Sequence, residues 1–343
     1  MVSPFRVQIL ITILCMQMFI VIQCKRDTSH TIAPPVQVLF NESFINAFGN
    51  DSILTDSGLK NLLSEDSSLA SIIQHSILNM DDSMDRLKIF KAYFKDSSRV
   101  RFRDTLKSIF AQRDWKKSLT TALAQYHQSF PAKSIPSFYL VLSDFNYGIF
   151  LFRDDHGMDA VGIGMEMFMG DPAFYDPLSA TNTNFSSYIN RTFNVDHLSS
   201  KIMTAILTEW LPAPANNRIL DHLLYEGKKL YFLKKWIPDI QDSLLYEYTP
   251  EQCKWVNENE MDIWRFLLSD KLIYKTSGKD VADLIQPAPH SQGMPPEAPG
   301  RAVNYIGLRI IESLMKKNKI SDQELVDLKD YDALLRMAKY HPR

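Results

Sequence analysis

The sequence predicts a predominantly helical α+β protein in which helices flank a small antiparallel sheet. Glycine is scarce, with 12 among 343 residues, which argues against a turn-rich sandwich or barrel. Apolar residues recur at helical spacing through most of the chain, whereas β-rich runs are confined to residues 137–168. Hydrophobic residues make up 45% and charged residues 23%, the balance of a globular protein. We predict one globular domain over residues 36–343.

The N-terminus has the layout of a signal peptide. Arg6 precedes an almost uncharged stretch over residues 7–22, and Lys25 ends it. The stretch is shorter than the roughly 20 residues of a comfortable transmembrane helix. Residues 1–23 are therefore predicted to be a signal peptide for export. A signal cut elsewhere and an uncleaved, short membrane anchor are the alternatives.

Cys24 lies where the apolar stretch ends and a polar segment begins. Bacterial lipoproteins carry their acylated first mature residue at such a position. Val21 opens a lipobox-like sequence, although Gln23 stands where a small residue is usual. We predict that Cys24 carries lipid, that residues 24–35 form a tether, and that the body faces the periplasm. Several acyl chains would hold it firmly, because each buried CH₂ group contributes about 0.8 kcal/mol.

Residues 36–130 are predicted to be helical, because apolar side chains such as Leu87, Phe90 and Phe94 repeat at helical spacing. Residues 85–118 contain 11 lysines and arginines against 4 aspartates. One interpretation is contact with anionic lipid headgroups or an acidic partner. The other is a set of amphipathic helices with their charges in water. The net charge of −2 does not favour nucleic acid as a partner.

The predicted sheet and the C-terminal helices follow in order. Three β-rich runs, at 137–143, 147–153 and 160–168, are separated by turns rich in Asp and Asn. Helices then return over residues 197–343. The expected elements are helices over about 197–211, 217–236 and 302–317, capping boxes at Thr249 and Ser321, and a Pro-rich loop over 286–300.

Motifs of common enzyme classes are absent from the sequence. It contains no GxSxG, Walker A, GxGxxG or CxxC motif, and none of its eight histidines is followed by Glu, so there is no HExxH. A catalytic zinc site of ordinary spacing is therefore not expected, and no cofactor is predicted. Removal of the signal and acylation of Cys24 would leave Cys253 as a lone thiol, which is more often a small buried hydrophobe than a nucleophile.

Three residues form the best candidate site. His222 and Glu226 lie four apart on one face of a predicted helix, which fits either two metal ligands or a polar pair that orders helix packing. Arg301 lies at a predicted helix start, where it could hold an anion or simply cap the helix. Because a half-buried carboxylate needs a counter-charge, we hypothesise that Glu226 and Arg301 pair across one cleft.

Several stretches, in the same order over most of residues 24–342, resemble the GldB family of gliding motility-associated lipoproteins. They begin at Cys24 and end in a closing segment that contains Tyr340, His341 and Pro342. The stretches between these ends are Ser129–Pro131, Ser143–Tyr147, Gly164–Gly170, Phe174–Tyr175, Tyr225–Phe232, Tyr248–Gln252, Asn257–Glu260 with Ile263–Trp264, Glu297–Arg301 and Tyr305–Gly307.

The resemblance implies a lipoprotein required for gliding, acting with a motility and secretion apparatus in the cell envelope. The family also looks distantly like zinc peptidases of the zincin type. In the place of their HExxH helix the chain reads KIMTAILTEW, and Glu226-Gly227 stands where a third ligand would. This implies a degenerate zincin-like architecture that has lost its metal, with His222, Glu226 and Arg301 as a relict cleft.

Three functional hypotheses follow. The leading one is a membrane-anchored, non-catalytic component of the gliding machinery that contacts other envelope motility proteins and no nucleic acid. The second is an envelope hydrolase or peptidase relative with a site near Glu226. The third is a periplasmic ligand-binding lipoprotein that uses a pocket under the Pro-rich loop.

Overall fold

The N-terminal part of the body is helical. A computed structural model describes residues 33–276 and 278–342. Side chains of Thr55, Asp85 and Asp96 accept hydrogen bonds from backbone N–H groups and so start three of the helices. The helices before the first long strand are Ser43–Ala47 (α1), Asp56–Glu65 (α2), Ser67–Ile72 (α3, continued by a π-helical turn over Ile73–Ile77), Arg86–Lys95 (α4), Ser97–Ala111 (α5) and Trp115–Ser129 (α6).

Helix α4 buries an aromatic face that the helical spacing predicts. Phe90, Tyr93 and Phe94 are buried and pack against Phe44 and Phe48 from the region of α1. The ring of Phe48 lies 4.9 Å from that of Tyr93 and 5.0 Å from that of Phe94. Edge-to-face contacts of this kind fix the two helices against each other. The helical prediction for residues 36–130 is thus confirmed, apart from a short strand described below.

Basic side chains of residues 85–118 contact acidic side chains elsewhere in the body. Lys116 Nζ lies 2.5 Å from Glu42 Oε1, and Arg99 Nη2 lies 2.7 Å from Asp144 Oδ2. Lys91 Nζ lies 3.0 Å from Asp56 Oδ1. These contacts support the interpretation of amphipathic helices with paired, solvated charges.

The sheet is mixed, and the prediction of an antiparallel sheet is wrong in this respect. Its strands are Phe40–Asn41 (β1), Ser137–Val141 (β2), Ile149–Arg153 (β3) and Asp159–Gly164 (β4), in the spatial order β1-β2-β4-β3. Only β3 and β4 pair antiparallel, whereas β2 is parallel to both β1 and β4. Strand β2 pairs with β4 rather than with β3, its neighbour in sequence, and residues 40–41 add a strand that was not predicted.

A buried carboxylate holds the connection between β2 and β3. Glu166 Oε1 accepts hydrogen bonds from Ser143 Oγ at 2.5 Å and Phe145 N at 3.0 Å. Burial raises the pKa of Glu166, and the donors from Ser143 and Phe145 oppose that rise. Asp144 and Phe145 both have positive φ angles, so Glu166 holds a backbone that these residues rarely adopt.

Short elements link the sheet to the C-terminal helices. Tyr175 is fully buried, and its hydroxyl donates to the carbonyl oxygen of Glu166 at 2.8 Å. This bond ties the linking segment to the end of the sheet. The elements are 3₁₀ turns over Met165–Phe168, Pro172–Phe174, Thr183–Phe185 and Val195–His197, and short helices over Asp176–Ser179 (α7) and Ser187–Asn190 (α8).

The C-terminal half is helical, as predicted. The helices expected near 197–211, 217–236 and 302–317 are confirmed as α9, α10 and α15, and both capping boxes are present. The helices are Leu198–Trp210 (α9), Ile219–Trp236 (α10), Asp242–Tyr246 (α11), Pro250–Glu258 (α12), Glu260–Leu268 (α13), Gly278–Ile285 (α14), Ala302–Lys317 (α15), Asp322–Asp327 (α16) and Tyr331–Ala338 (α17), with a 3₁₀ segment over Ser269–Tyr274.

Helices α10 and α15 touch backbone to backbone. A Cβ atom at Gly227 would lie 2.4 Å from the carbonyl carbon of Gly307, and one at Gly307 would lie 2.0 Å from the carbonyl oxygen of Leu223. Only glycine fits at both positions, because neither gap leaves room for a methyl group. The two helices are therefore fixed in one register, which positions Glu226 relative to the start of α15.

The Pro-rich loop is fastened to the start of α15 by a buried serine. Ser291 Oγ donates to the carbonyl oxygen of Pro299 at 2.6 Å and accepts from Ala302 N at 3.1 Å. It thereby supplies a partner for an N–H group that the first turn of a helix leaves free. The loop thus lies as an ordered cover beside Arg301.

Cys24, the signal peptide and most of the predicted tether lie outside the described residues. Across residues 33–276 and 278–342, no helix is both long and apolar enough to cross a membrane.

Candidate functional site

A cavity of about 490 Å³ opens where α9, α10 and the start of α15 meet. Gln286 and Pro287 of the Pro-rich loop lie at its wall, and Glu226 and Arg301 both line it. The structure thus brings two of the three predicted site residues to one cavity, of a size typical for small-ligand sites.

Glu226 is half-buried and pairs within its own helix. Its Oε1 atom lies 2.7 Å from Lys229 Nζ, and the Glu226 side chain retains 26% of its exposure. Lys229 also lines the cavity. The counter-charge that a half-buried carboxylate requires therefore comes from the next turn of α10.

Arg301 lies at the start of α15 in a left-handed backbone conformation, with φ of 65°. Its Nη2 atom donates to Glu247 Oε2 at 3.0 Å and to the carbonyl oxygen of Tyr246 at 3.2 Å. The hypothesised pair with Glu226 is therefore wrong, since Glu247 is the carboxylate that holds Arg301. Glu226 faces the same cavity and contributes only a weaker, longer-range attraction.

Glu247 is the central acid of the cavity. It follows α11 with φ of 55°, a conformation that is uncommon for a residue other than glycine. Its Oε1 atom lies 2.7 Å from Lys201 Nζ, opposite the Arg301 contact. Burial alone would raise the pKa of Glu247, but the charges of Lys201 and Arg301 outweigh burial and lower the pKa to about 2. Glu247 is therefore an anion at neutral pH.

His222 lies away from this site. It precedes Glu226 by one turn of α10, and its Nε2 atom lies 2.7 Å from Asn217 Oδ1. It does not line the cavity. The sequence correctly places His222 and Glu226 one turn apart, but the cavity ends before the turn that carries the histidine.

The segment KIMTAILTEW forms most of α9, and its residues Lys201, Thr204 and Ala205 line the cavity. Lys201 and Ala205 stand one helical turn apart on the face toward the cavity. Two metal-binding histidines would need this spacing, but one position holds an ammonium and the other a methyl group. In the described part of the chain, no group of three or more His, Cys, Asp or Glu side chains is arranged to hold a metal ion.

Cys253 and His197 lie near the cavity, and neither has the pKa of an activated nucleophile or of its base. Burial raises the pKa of the Cys253 thiol to about 11, so the thiol stays protonated at neutral pH. Burial lowers the pKa of His197 to about 4, which keeps its imidazole neutral. Neither shift produces an activated nucleophile.

Lys201, Glu247 and Arg191 also belong to this site, although none of them was predicted from the sequence. Arg191 Nη2 donates to the carbonyl oxygen of Glu247 at 2.9 Å, and Lys201 precedes Glu247 by 46 positions. These residues come from separate elements and follow no local motif. The one available signal was the adjacency of Glu247 to the stretch Tyr248–Gln252, which is part of the family resemblance.

The family model described as gliding motility protein GldB matches residues 25–342. The match covers the whole described body, including every residue of the cavity. No curated protein and no solved structure matches the chain.

Proposed function

Because the chain belongs to the family of the gliding motility protein GldB, we propose that it acts as a lipid-anchored, non-catalytic component of the gliding machinery in the cell envelope. The body would face the periplasm, with the lipid on Cys24 and contacts to other envelope motility proteins. The polar end of the cavity would serve binding rather than bond cleavage.

The observation that supports a non-catalytic role is the chemistry of the cavity wall. Lys201 and Ala205 face the cavity one helical turn apart on α9, neither side chain can bind a metal ion, and Lys201 pairs with Glu247 at 2.7 Å. An ammonium in that position repels a divalent cation and holds the nearest carboxylate. Neither Cys253 nor His197 is an activated nucleophile, which also supports a non-catalytic role.

Complementation separates this role from that of a hydrolase with a site near Glu226. A strain that lacks the gene should recover colony spreading with a Glu226→Gln copy, because the side chain keeps its size and no reaction depends on its charge. Lys229→Met is the matched control, since it removes the partner of the same ion pair. Loss of spreading with Glu226→Gln alone, at normal protein abundance, would favour the hydrolase.

Lipid attachment is tested at Cys24. The Cys24→Ser protein should fail to incorporate radiolabelled fatty acid, and it should accumulate as precursor or leave the membrane fraction. Cys253→Ser is the control, because its half-buried thiol lies in the folded body and its loss leaves the export signal intact. Absence of label from the wild-type protein would show that the anchor is not a lipid.

A further inference from the structure

Basic side chains outnumber acidic ones around Glu247. Lys201 and Arg301 contact its carboxylate, and Arg191 donates to its backbone carbonyl oxygen. We name these four residues the Glu247 cluster. Within the described residues, Lys201 and Arg301 form ion pairs with Glu247 alone, and Arg191 forms no ion pair with a carboxylate. The cluster thus holds three positive charges and one negative charge, on side chains that are only partly exposed to water.

Arg191 shows where the unbalanced charge lies. Its Nη2 atom bonds to Glu247 O and to Gln252 Oε1, but its Nε atom is buried and has no hydrogen-bond partner. Buried donors without partners are uncommon, since each lacks the hydrogen bonds that water would give it. Burial and the nearby Arg301 lower the pKa of Arg191, and the charge of Glu247 opposes this shift without cancelling it.

A small cavity of about 130 Å³ lies against the cluster, lined by Arg191, Lys201, Glu247 and Arg301. A water molecule takes up roughly 30 Å³ of liquid, so the space is large enough for a carboxylate group. Tyr248 forms part of its wall. Carboxylates bind well between guanidinium groups, because the planar fork donates two parallel hydrogen bonds.

The small cavity adjoins the larger one. They share Lys201, Glu247, Tyr248, Pro287 and Arg301 as wall residues. Beyond the shared wall, the larger cavity carries the Glu226–Lys229 pair together with an apolar part, whose side chains include Ile149, Phe168, Leu230, Leu233 and Leu245. An anion site next to an apolar space fits a ligand with a charged end and a hydrophobic group beside it.

We propose that the two cavities bind the C-terminus of an extended peptide, with its free carboxylate at Arg191 and Arg301 and its last, apolar side chain in the larger cavity. This rests on the proposed function, in which the protein binds another envelope component without cleaving it. Capture of a terminal carboxylate by a basic site is a known mode of peptide recognition. The ligand also supplies the missing negative charge of the Glu247 cluster.

The test uses the full chain purified in detergent and fluorescein-labelled pentapeptide pools that end in Leu. One pool has a free C-terminal carboxylate and the other a C-terminal amide. Fluorescence anisotropy should show binding of the acid pool and at least tenfold weaker binding of the amide pool. Equal affinity for both pools, or binding of neither, would refute the proposal.

Substitutions test whether Arg191 binds the peptide carboxylate. Arg191→Gln should weaken binding of the acid pool at least tenfold, whereas Arg265→Gln, a change at an exposed arginine, should leave it unchanged. If the Arg191→Gln protein is not folded at the assay temperature, the affinities of the wild-type protein for the acid and amide pools still test the proposal. Inorganic phosphate that displaces the acid pool completely at equal concentration would indicate a simple anion site and contradict the peptide assignment.

Mass spectrometry of the peptides after incubation with the protein distinguishes a failure of the non-catalytic function from a failure of the binding site. The peptides should keep their length after long incubation. Shortened peptides would refute the non-catalytic function and leave the binding site standing. Intact but unbound peptides would refute the binding site and leave the function standing.

Discussion

At the scale of single residues, His197 is a buried imidazole that folding keeps neutral. It is 8% exposed, and its Nδ1 atom lies 3.0 Å from Asn194 Oδ1. Burial lowers its pKa from 6.5 to about 4. Between these values the unfolded chain binds a proton that the folded chain excludes, so stability is lost as pH falls from 6.5 to about 4. We expect this group to contribute about 3 kcal/mol of the loss.

Urea denaturation measures this contribution. The free energy of unfolding of wild-type protein should fall more between pH about 7 and about 4 than that of His197→Gln, which lacks the titrating group. Effects of carboxylates shared by both proteins cancel in the comparison. Parallel pH profiles for the two proteins would show that His197 does not exclude a proton.

Arg301 shows what single residues in a sequence can and cannot reveal. The sequence indicates that Arg301, at a predicted helix start, could hold an anion or a carboxylate, and the structure places a carboxylate there. The sequence does not reveal which carboxylate pairs with Arg301. Glu247 is 54 positions away, and a left-handed turn after α11 brings it to Arg301. The partner is a consequence of tertiary structure, and no local pattern contains it.

At the scale of elements, the contact between α10 and α15 depends on two glycines. Gly307→Ala should lower stability by about 1–3 kcal/mol or more, because the new methyl group would overlap the backbone of Leu223. Gly278→Ala is the matched control, since a Cβ atom there meets nothing within 4 Å. Thermal unfolding followed by circular dichroism compares the two variants. A Gly307→Ala protein as stable as the control would mean that the helices separate easily.

The helices could be predicted from sequence far better than the sheet. Periodicity and capping residues are local, so α10 and α15 appear within one or two residues of their expected bounds. The β-rich runs were also found, but their pairing depends on a parallel alignment of β2 with β4. Nothing in a short apolar run specifies its partner, and a two-residue strand such as β1 has no pattern of its own.

At the scale of the whole molecule, a buried acid is one of the groups that tie the C-terminal segment to the rest of the body. Glu260 is 2% exposed and accepts hydrogen bonds from Tyr340 at 2.7 Å and Tyr305 at 3.3 Å. Arg309 Nε, at 3.4 Å, provides the compensating charge. Three stretches that carry the family resemblance therefore meet at Glu260, although they lie far apart in sequence.

This arrangement predicts that the C-terminus unfolds together with the whole body. Tyr340→Phe should lower the free energy of unfolding by about 1–2 kcal/mol, because the buried Glu260 carboxylate loses a donor that no water replaces. The matched control is Tyr274→Phe, at a tyrosine that is 45% exposed, which should change little. In urea, the Tyr340→Phe transition should move to lower concentration with an unchanged slope, the sign of one cooperative unit. An unshifted transition, together with rapid proteolytic loss of the last residues, would instead show that the C-terminal segment detaches alone and that Glu260 does not couple it to the core.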